Sequence, residues 1–358
     1  MKSEKVYILA IESSCDDTSC AILENEVLLA NITANQTIHE QYGGVIPELA
    51  SRDHQKNIVP TAHAALEKAG VNLSQISAIA FTRGPGLMGS LLVGTSFAKS
   101  LALALSIPLI EVNHMHAHIL AHFIQFGVRS SELAEEKSGT RSTNSEIRTP
   151  NFPFLCLTVS GGHTQIVKVN DHLSFELIGQ TQDDAVGEAF DKAAKILGLP
   201  YPGGPLIDKH AQSGDPKKFQ FPKSKVPGLD YSFSGIKTAF LYFIQNGTKE
   251  DPKFIEKNLN DICASYQHHL INILLQNVIE ASKIHNIKHI AIAGGVSANS
   301  ELRKQLKETG IKQKWDVFIP SFEFCTDNAA MIAITGYYKF LKQDFCELSA
   351  VPEARYSL

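Results

Sequence analysis

Residues 114–118 read HMHAH, three histidines at alternate positions. Neutral imidazole is the commonest metal ligand near neutral pH, so this stretch has the most readily named chemistry. On a helix His114 and His118 share a face and His116 turns away, whereas on a strand all three share a face. The following HILAHFIQF sets Ile119, Leu120, Phe123 and Ile124 at helical spacing, which predicts a strand-to-helix junction with His114 and His118 converging. Two readings stand at this point: a two-imidazole grip on a transition metal, or a helix start with surface histidines. In FCTDNAAMIAITG, Asp327 stands at the mouth of an apolar helix. It either caps that helix or supplies the oxygen ligand a two-histidine site lacks. Two histidines and a carboxylate suit iron, zinc or manganese and leave positions open for substrate oxygens.

Glycine turns form the second group of chemically suggestive residues. VSGGH, Val159 to His163, has Gly161 and Gly162 where backbone amides can approach an anion, although hairpins use the same residues. In SSCDD, Asp16 and Asp17 would repel a phosphate unless a metal lies between. The segment GEAFDKAAKILGLPYPGGPLIDK puts Phe190, Ala194 and Leu197 on one helical face and Asp191 and Lys195 on another. Asp191 and Asp208 flank YPGGP, where Gly203 and Gly204 would bring backbone close to a ligand. Carboxylates so placed can bond ribose hydroxyls, and the alternative is a helix-end charge beside a Pro-Gly turn. IAIAGGVSANSELRKQL reads as a buried strand, a glycine turn against which a nucleoside could lie, and a helix capped by Ser297 or Asn299.

These residues need a scaffold of about two domains, because 358 residues exceed what one core usually organises. Hydrophobic content of 44% with 20% charged residues excludes wholesale disorder. KVYILAIESS, SCAILEN and EVLLANIT read as three strands, followed by a helix from about Pro47 to Ala69 and then by alternating strands and helices, the pattern of an α/β layer. Residues 127–150 are polar and read as a surface insertion separating a domain of residues 1–126 from one of residues 151–358, whose last helix could return to the first domain. YILAIESSCDDTSCAIL and FLCLTVSGGHTQIVKV are both strand, polar turn and returning strand. They point to two related halves with a cleft between them, the alternative being two ordinary hairpins.

Six scattered cysteines without metal-ribbon spacing are expected to be reduced. The N-terminus has only a strand-length apolar run, so a cytoplasmic chain that does not engage a membrane is expected. Net charge is −4. Any RNA must therefore be met through a local basic patch or through partners.

Taken in order, ESSCDDTS, YGGVIPELASRDH, GPGLMGSLLVG, HMHAH, VSGGHTQ, DDAVGEAFDKAAKILGLPYPGGP, DYSFSGIKT, AGGVSAN and FCTDNAAMIA resemble the TsaD/Gcp/Kae-type family, tRNA N6-adenosine threonylcarbamoyltransferases, and most of all its bacterial branch. The resemblance spans nearly the whole chain. It implies an actin-like ATPase (ASKHA) α/β fold of two related domains. It implies transfer of threonylcarbamoyl from threonylcarbamoyl-adenylate to the exocyclic amine of the adenosine beside the anticodon, in tRNAs reading codons that begin with A. By motif it makes His114, His118 and Asp327 the ligands of one divalent ion per chain, iron(II) ahead of zinc. Thr158, Val159, Ser160, Gly161 and Gly162 match the substrate loop, and Asp191, Gly204, Asp208 and Asn299 match residues that hold the nucleotide. No catalytic side chain is implied beyond metal-assisted transfer. The partners implied are tRNA, a TsaB-like inactive paralogue docked on the N-terminal domain near Pro47 to Ala69, and a TsaE-like ATPase.

The chain departs from that family in its long 127–150 insertion and in a C-terminal VPEARYSL with less basic character than expected. Three rivals remain. A metalloprotease needs a glutamate beside the first histidine, where Met115 stands. An actin-fold small-molecule kinase needs an acidic base at its acceptor. An idle scaffold has no use for an intact ligand set.

Overall fold

The computed structural model describes residues 5–126, 148–224 and 226–356. Residues 127–147, most of the 127–150 insertion, lie outside them. The chain forms two compact units, and neither is continuous in sequence. The first comprises Met1–Gln36, Pro47–Thr149 and Asp327–Ser357, the second Thr37–Ile46 and Pro150–Thr326. These boundaries differ from a single cut at 126/151.

In the first unit β1 (Tyr7–Glu12), β2 (Thr18–Glu24) and β3 (Val27–Ala34) form an antiparallel meander. β4 (Ala78–Gly84) and β5 (Leu109–Asn113) add in parallel beside β1, giving the order β5-β4-β1-β2-β3, with the short β6 (Gln125–Phe126) outside β3. Side chains alternate across a strand, so Leu9, Ile11, Ile79 and Phe81 form one core with Ile58, Ala62 and Ala65 of α1 (Pro47–Ala69) and Ala98 and Ala102 of α2 (Met88–Leu105). α2 is long and apolar enough to cross a membrane, and here Ala98 and Ala102 join that core, with Val93, Phe97 and Leu101 packed against it. The other sheet face takes α9 (Ala329–Leu341), whose residues Ala329 to Gly336 are all buried. A Cβ on Gly336 would lie 2.6 Å from the Ala80 Cβ. That close approach places residues 327–357 with the first unit despite their position in sequence.

The last residues form a strap on the same unit. Glu353 N–H donates to the Arg83 carbonyl and Gly86 N–H to that of Ala354. The Arg83 guanidinium bonds Glu111 at 2.7 Å and the Val351 carbonyl at 3.1 Å, and pairs with Glu353. A Cβ on Gly84 would run into the Glu353 carbonyl. VPEARY is thus committed to structure as far as Tyr356, which lies under the guanidinium.

The second unit repeats the first. β7 (Phe154–Val159), β8 (Thr164–Asp171) and β9 (Ser174–Gln180) form a meander, with β10 (His289–Ala293) and β11 (Asp316–Phe318) parallel beside β7, in the order β11-β10-β7-β8-β9. The same strand order and directions in both sheets are those of the actin-like fold. Leu155, Leu157, Ile290 and Ile292 pack with α4 (Val186–Ile196), α6 (Ser234–Glu250), the 32-residue α7 (Phe254–His285) and α8 (Ser300–Gln313). α5 (Gly203–Ala211) lies beside α4 and α7. All six cysteines are free thiols.

Candidate functional site

The histidine motif sits at the junction of β5 and α3 (His114–Leu120). Asn113 closes the strand and caps the helix, its Oδ1 accepting from Met115 N–H at 2.8 Å and His116 N–H at 3.2 Å. One helical turn then stacks His114 over His118, ring centroids 4.7 Å apart and nearly perpendicular. Both Nε2 atoms lie 3.3 Å from Asp327 Oδ1, and all three donors lie within 4.8 Å of one another. Asp327 does not cap α9: Asn328 does, accepting from Met331 N–H at 3.0 Å, and this leaves the Asp327 carboxylate to the imidazoles. His116 is not in the cluster. Burial, with help from Lys339, pushes its pKa down to about 4.

Behind His114 stands a residue that the sequence reading missed. Glu12, the last residue of β1, is fully buried, with Oε2 3.2 Å from His114 Nδ1. Ser14 N–H donates to its Oε1 at 2.5 Å and the Thr82 hydroxyl to its Oε2. Its signal was a lone carboxylate ending an otherwise apolar strand. Burial favours the uncharged form of each group here, yet the charges outweigh it: the Asp327 and Glu12 carboxylates raise His114, and His114 in turn lowers Asp327 and Glu12. In the next loop burial, then Asp16, Asp327 and Glu12, pushes Asp17 up to about 7. His54 of α1 holds this loop, with Nδ1 2.7 Å from the Thr18 hydroxyl and Nε2 3.0 Å from the Cys15 carbonyl.

The donor set fits a divalent ion. Donors sharing an ion at about 2.1 Å sit roughly 3.0 to 3.4 Å apart in octahedral or tetrahedral geometry, and the imidazole-to-carboxylate spacings here are 3.3 Å.

The second unit holds a cavity of about 350 Å³ lined by Gly161, Asp191, Gly204, Asp208 and Asn299 beside Phe190, Tyr201 and Val296. Asp191, Asp208 and Asn299 are each fixed by structural bonds. Asp191 Oδ1 accepts from Gly203 and Gly204 N–H at 2.9 and 3.2 Å, capping α5 from α4 because Pro202 has no side chain to do so. Burial raises its pKa, and the two amides oppose that shift. Asp208 accepts from Gln267 Nε2 at 3.0 Å and from the Ser300 hydroxyl at 2.6 Å. Asn299 caps α8 through Leu302 N–H and donates to Gln267 Oε1 at 2.8 Å. Ser297 is not the cap.

Gly203 has a different role from the one expected. A Cβ there would meet the Ala194 Cβ at 2.3 Å, so the glycine serves helix packing, while Gly204 lines the cavity. Of the 158–162 segment, Thr158 and Val159 are buried in β7 and Ser160 closes the turn by accepting from His163 N–H. Gly162 joins Gly161 in a backbone with open space beside it, and only Gly161 lines the cavity.

Comparison with known proteins gives the family. The family model for TsaD, tRNA N6-adenosine threonylcarbamoyltransferase, matches residues 27–131 and 139–334. A protein of that name from Christiangramia forsetii is 61% identical over 356 residues, covering 99% of each chain, and one from Porphyromonas gingivalis is 55% identical over 350 residues, covering 98% of each. The chain belongs to the tRNA N6-adenosine threonylcarbamoyltransferase family. It is a transferase that modifies tRNA, and the protease, kinase and scaffold readings give way. The fold is shared more widely: a full-length HypF solved with phosphate and nucleotide superposes with a TM-score of 0.57 at 13% identity, over 98% of this chain and 48% of that one.

Proposed function

We propose that the chain moves the threonylcarbamoyl group from threonylcarbamoyl-adenylate to the exocyclic amine of the adenosine next to the anticodon, in tRNAs reading codons that begin with A, and releases AMP. Convergence of His114, His118 and Asp327 on one point, in a member of a threonylcarbamoyltransferase family, carries the proposal. Two imidazoles and a carboxylate hold one divalent ion per chain, iron(II) ahead of zinc, and leave coordination positions open. When bound, such an ion supplies Lewis-acid stabilisation of charge on carbamoyl or phosphate oxygens. Glu12 Oε2, 3.2 Å from His114 Nδ1, would accept a hydrogen bond from Nδ1–H and so leave the Nε2 lone pair available to such an ion.

The nucleotide part of the adenylate takes the cavity of the second unit. Gly161 and Gly204 let backbone approach it, and the turn Ser160 to Gly162, which follows Thr158 and Val159 of β7, is the substrate loop. Asp191 and Asp208 keep lone pairs beyond their structural bonds and accept ribose hydroxyls. AMP is a good leaving group, so no protein nucleophile is invoked. A TsaB-like paralogue docks on α1, where Val59 is 60% exposed. A TsaE-like ATPase completes a cytoplasmic assembly that needs no membrane.

The test supplies the chain and its partners with threonylcarbamoyl-adenylate and unmodified tRNA, then locates the modified nucleoside by digestion and mass spectrometry. Modification at the adenosine beside the anticodon, equimolar AMP and about one metal per chain are expected. Transfer that survives complete chelation would overturn the metal role. Modification at another adenosine would overturn the substrate assignment.

A further inference from the structure

Arg303, half-buried in the first turn of α8, has no part in the reaction proposed above. Among the described residues its side-chain hydrogen bonds all go to neutral acceptors. Nε donates to the Ser297 carbonyl at 2.7 Å, and Nη2 donates to the Pro320 carbonyl at 2.8 Å and to the Cys325 sulfur at 3.1 Å. The guanidinium lies 3.9 Å from the centroid of the Phe322 ring, which adds a cation–π contact. A cation spent on two carbonyls and a thiol is there to hold backbone in place, since it balances no charge.

The segments it joins have different work. Ser297 belongs to the turn between β10 and α8, whose Gly295, Val296, Ala298 and Asn299 line the cavity. That turn is seated against β7: Gly294 has a φ of 87°, and a Cβ there would lie 2.5 Å from the Val159 carbonyl. Pro320 and Cys325 belong to the segment that leaves β11 and ends at Thr326, where the chain passes into the first unit with Asp327. Phe324 and Cys325 are buried, and the Cys325 thiol donates to the Ser321 carbonyl at 3.4 Å, so the segment is folded on itself. From one rigid plane Arg303 thus fastens the cavity's turn to the last residues before a carboxylate of the donor triad.

We infer that Arg303 is a positioning residue through which occupancy of the cavity and metal binding by Asp327 reinforce each other. The inference rests on the proposed nucleotide cavity and metal triad. A ligand seated on residues 295–299 holds the Ser297 carbonyl in place. Arg303 carries that restraint to Pro320 and Cys325, and Asp327 follows two residues later. An ion at Asp327 orders the same bridge from its other end, so each ligand lowers the ordering cost of the other. By linkage the effect is equal in both directions.

The test measures the zinc affinity of the full chain by competition with a chromophoric chelator, with and without saturating adenosine, and its adenosine affinity by calorimetry, with and without zinc. Adenosine is the probe because it has no phosphate to ligate zinc directly. Wild type should bind zinc roughly fivefold or more tighter with adenosine present, and adenosine tighter by the same factor with zinc present. Arg303→Met keeps the apolar stem, removes the donors and should abolish that difference. Arg303→Lys should lose most of it, because one ammonium lacks the fork that spans both segments. Val278→Ala, a core truncation in α7 of the same unit, should lower the melting midpoint and keep the full factor, which separates coupling from stability. If Arg303→Met melts too early to titrate, Arg303→Lys decides. Wild type that binds zinc and adenosine independently, or Arg303 variants that keep the full factor, would overturn the inference while leaving the proposed function standing. Failure of wild type to bind zinc or adenosine would overturn the proposed sites and this inference with them.

Discussion

Asp327 can face the two imidazoles because its neighbour, Asn328, takes over the helix cap, and Glu12 steadies one of those imidazoles from behind. A carboxylate behind a metal-bound histidine typically changes metal affinity by 10- to 100-fold. Glu12→Gln should therefore weaken metal binding by about that factor in competition with a chromophoric chelator, while the apo fold survives; unchanged affinity would remove Glu12 from the centre. Asp17 gives the pH dependence. Its folded-state pKa of about 7 lies above the usual 3.8, so between those values the native chain keeps a proton that the unfolded chain has lost, and stability falls as pH rises. Asp17→Asn should raise the melting temperature of the metal-free chain more at pH 8 than at pH 4, and equal shifts would refute this. At this scale the sequence was legible only in part. His114 and His118 announced themselves by spacing, whereas Glu12 lies 102 positions from its partner and no local pattern joins them.

Elements explain which of these expectations the structure met. The strand-to-helix change at residue 114 was readable because both of its causes are local: the Asn113 cap and the apolar spacing of Ile119 and Leu120. Asn113→Ala removes that cap and should cost about 1 kcal/mol, visible as a lower denaturation midpoint, with weaker metal binding because the helix start carries His114. A midpoint and affinity equal to wild type would mean the cap is dispensable. The function of Gly203 was misread for the opposite reason: its constraint comes from Ala194 on another helix. Asp191 likewise caps a helix other than its own. Such caps are written in three dimensions and leave the sequence looking like an uncapped Pro-Gly turn.

The whole molecule is a duplicated α/β scaffold whose two sheets share one strand order. Its two halves were visible in the sequence as repeated strand, turn and strand segments. The return of residues 327–357 to the first unit depends on α9 finding Ile8 and Ala80 across the sheet. The first unit carries the donor triad and the second a cavity of about 350 Å³. The central claim is that the triad makes transfer metal-dependent. Its most direct test is single-turnover transfer of labelled threonylcarbamoyl from the adenylate to tRNA, with wild type and Asp327→Ala side by side and metal content measured in both. The account predicts stoichiometric labelling of tRNA by metal-loaded wild type, and neither bound metal nor labelled tRNA for the variant, with the adenylate still bound. Labelling by a metal-free Asp327→Ala chain at the wild-type rate would contradict it.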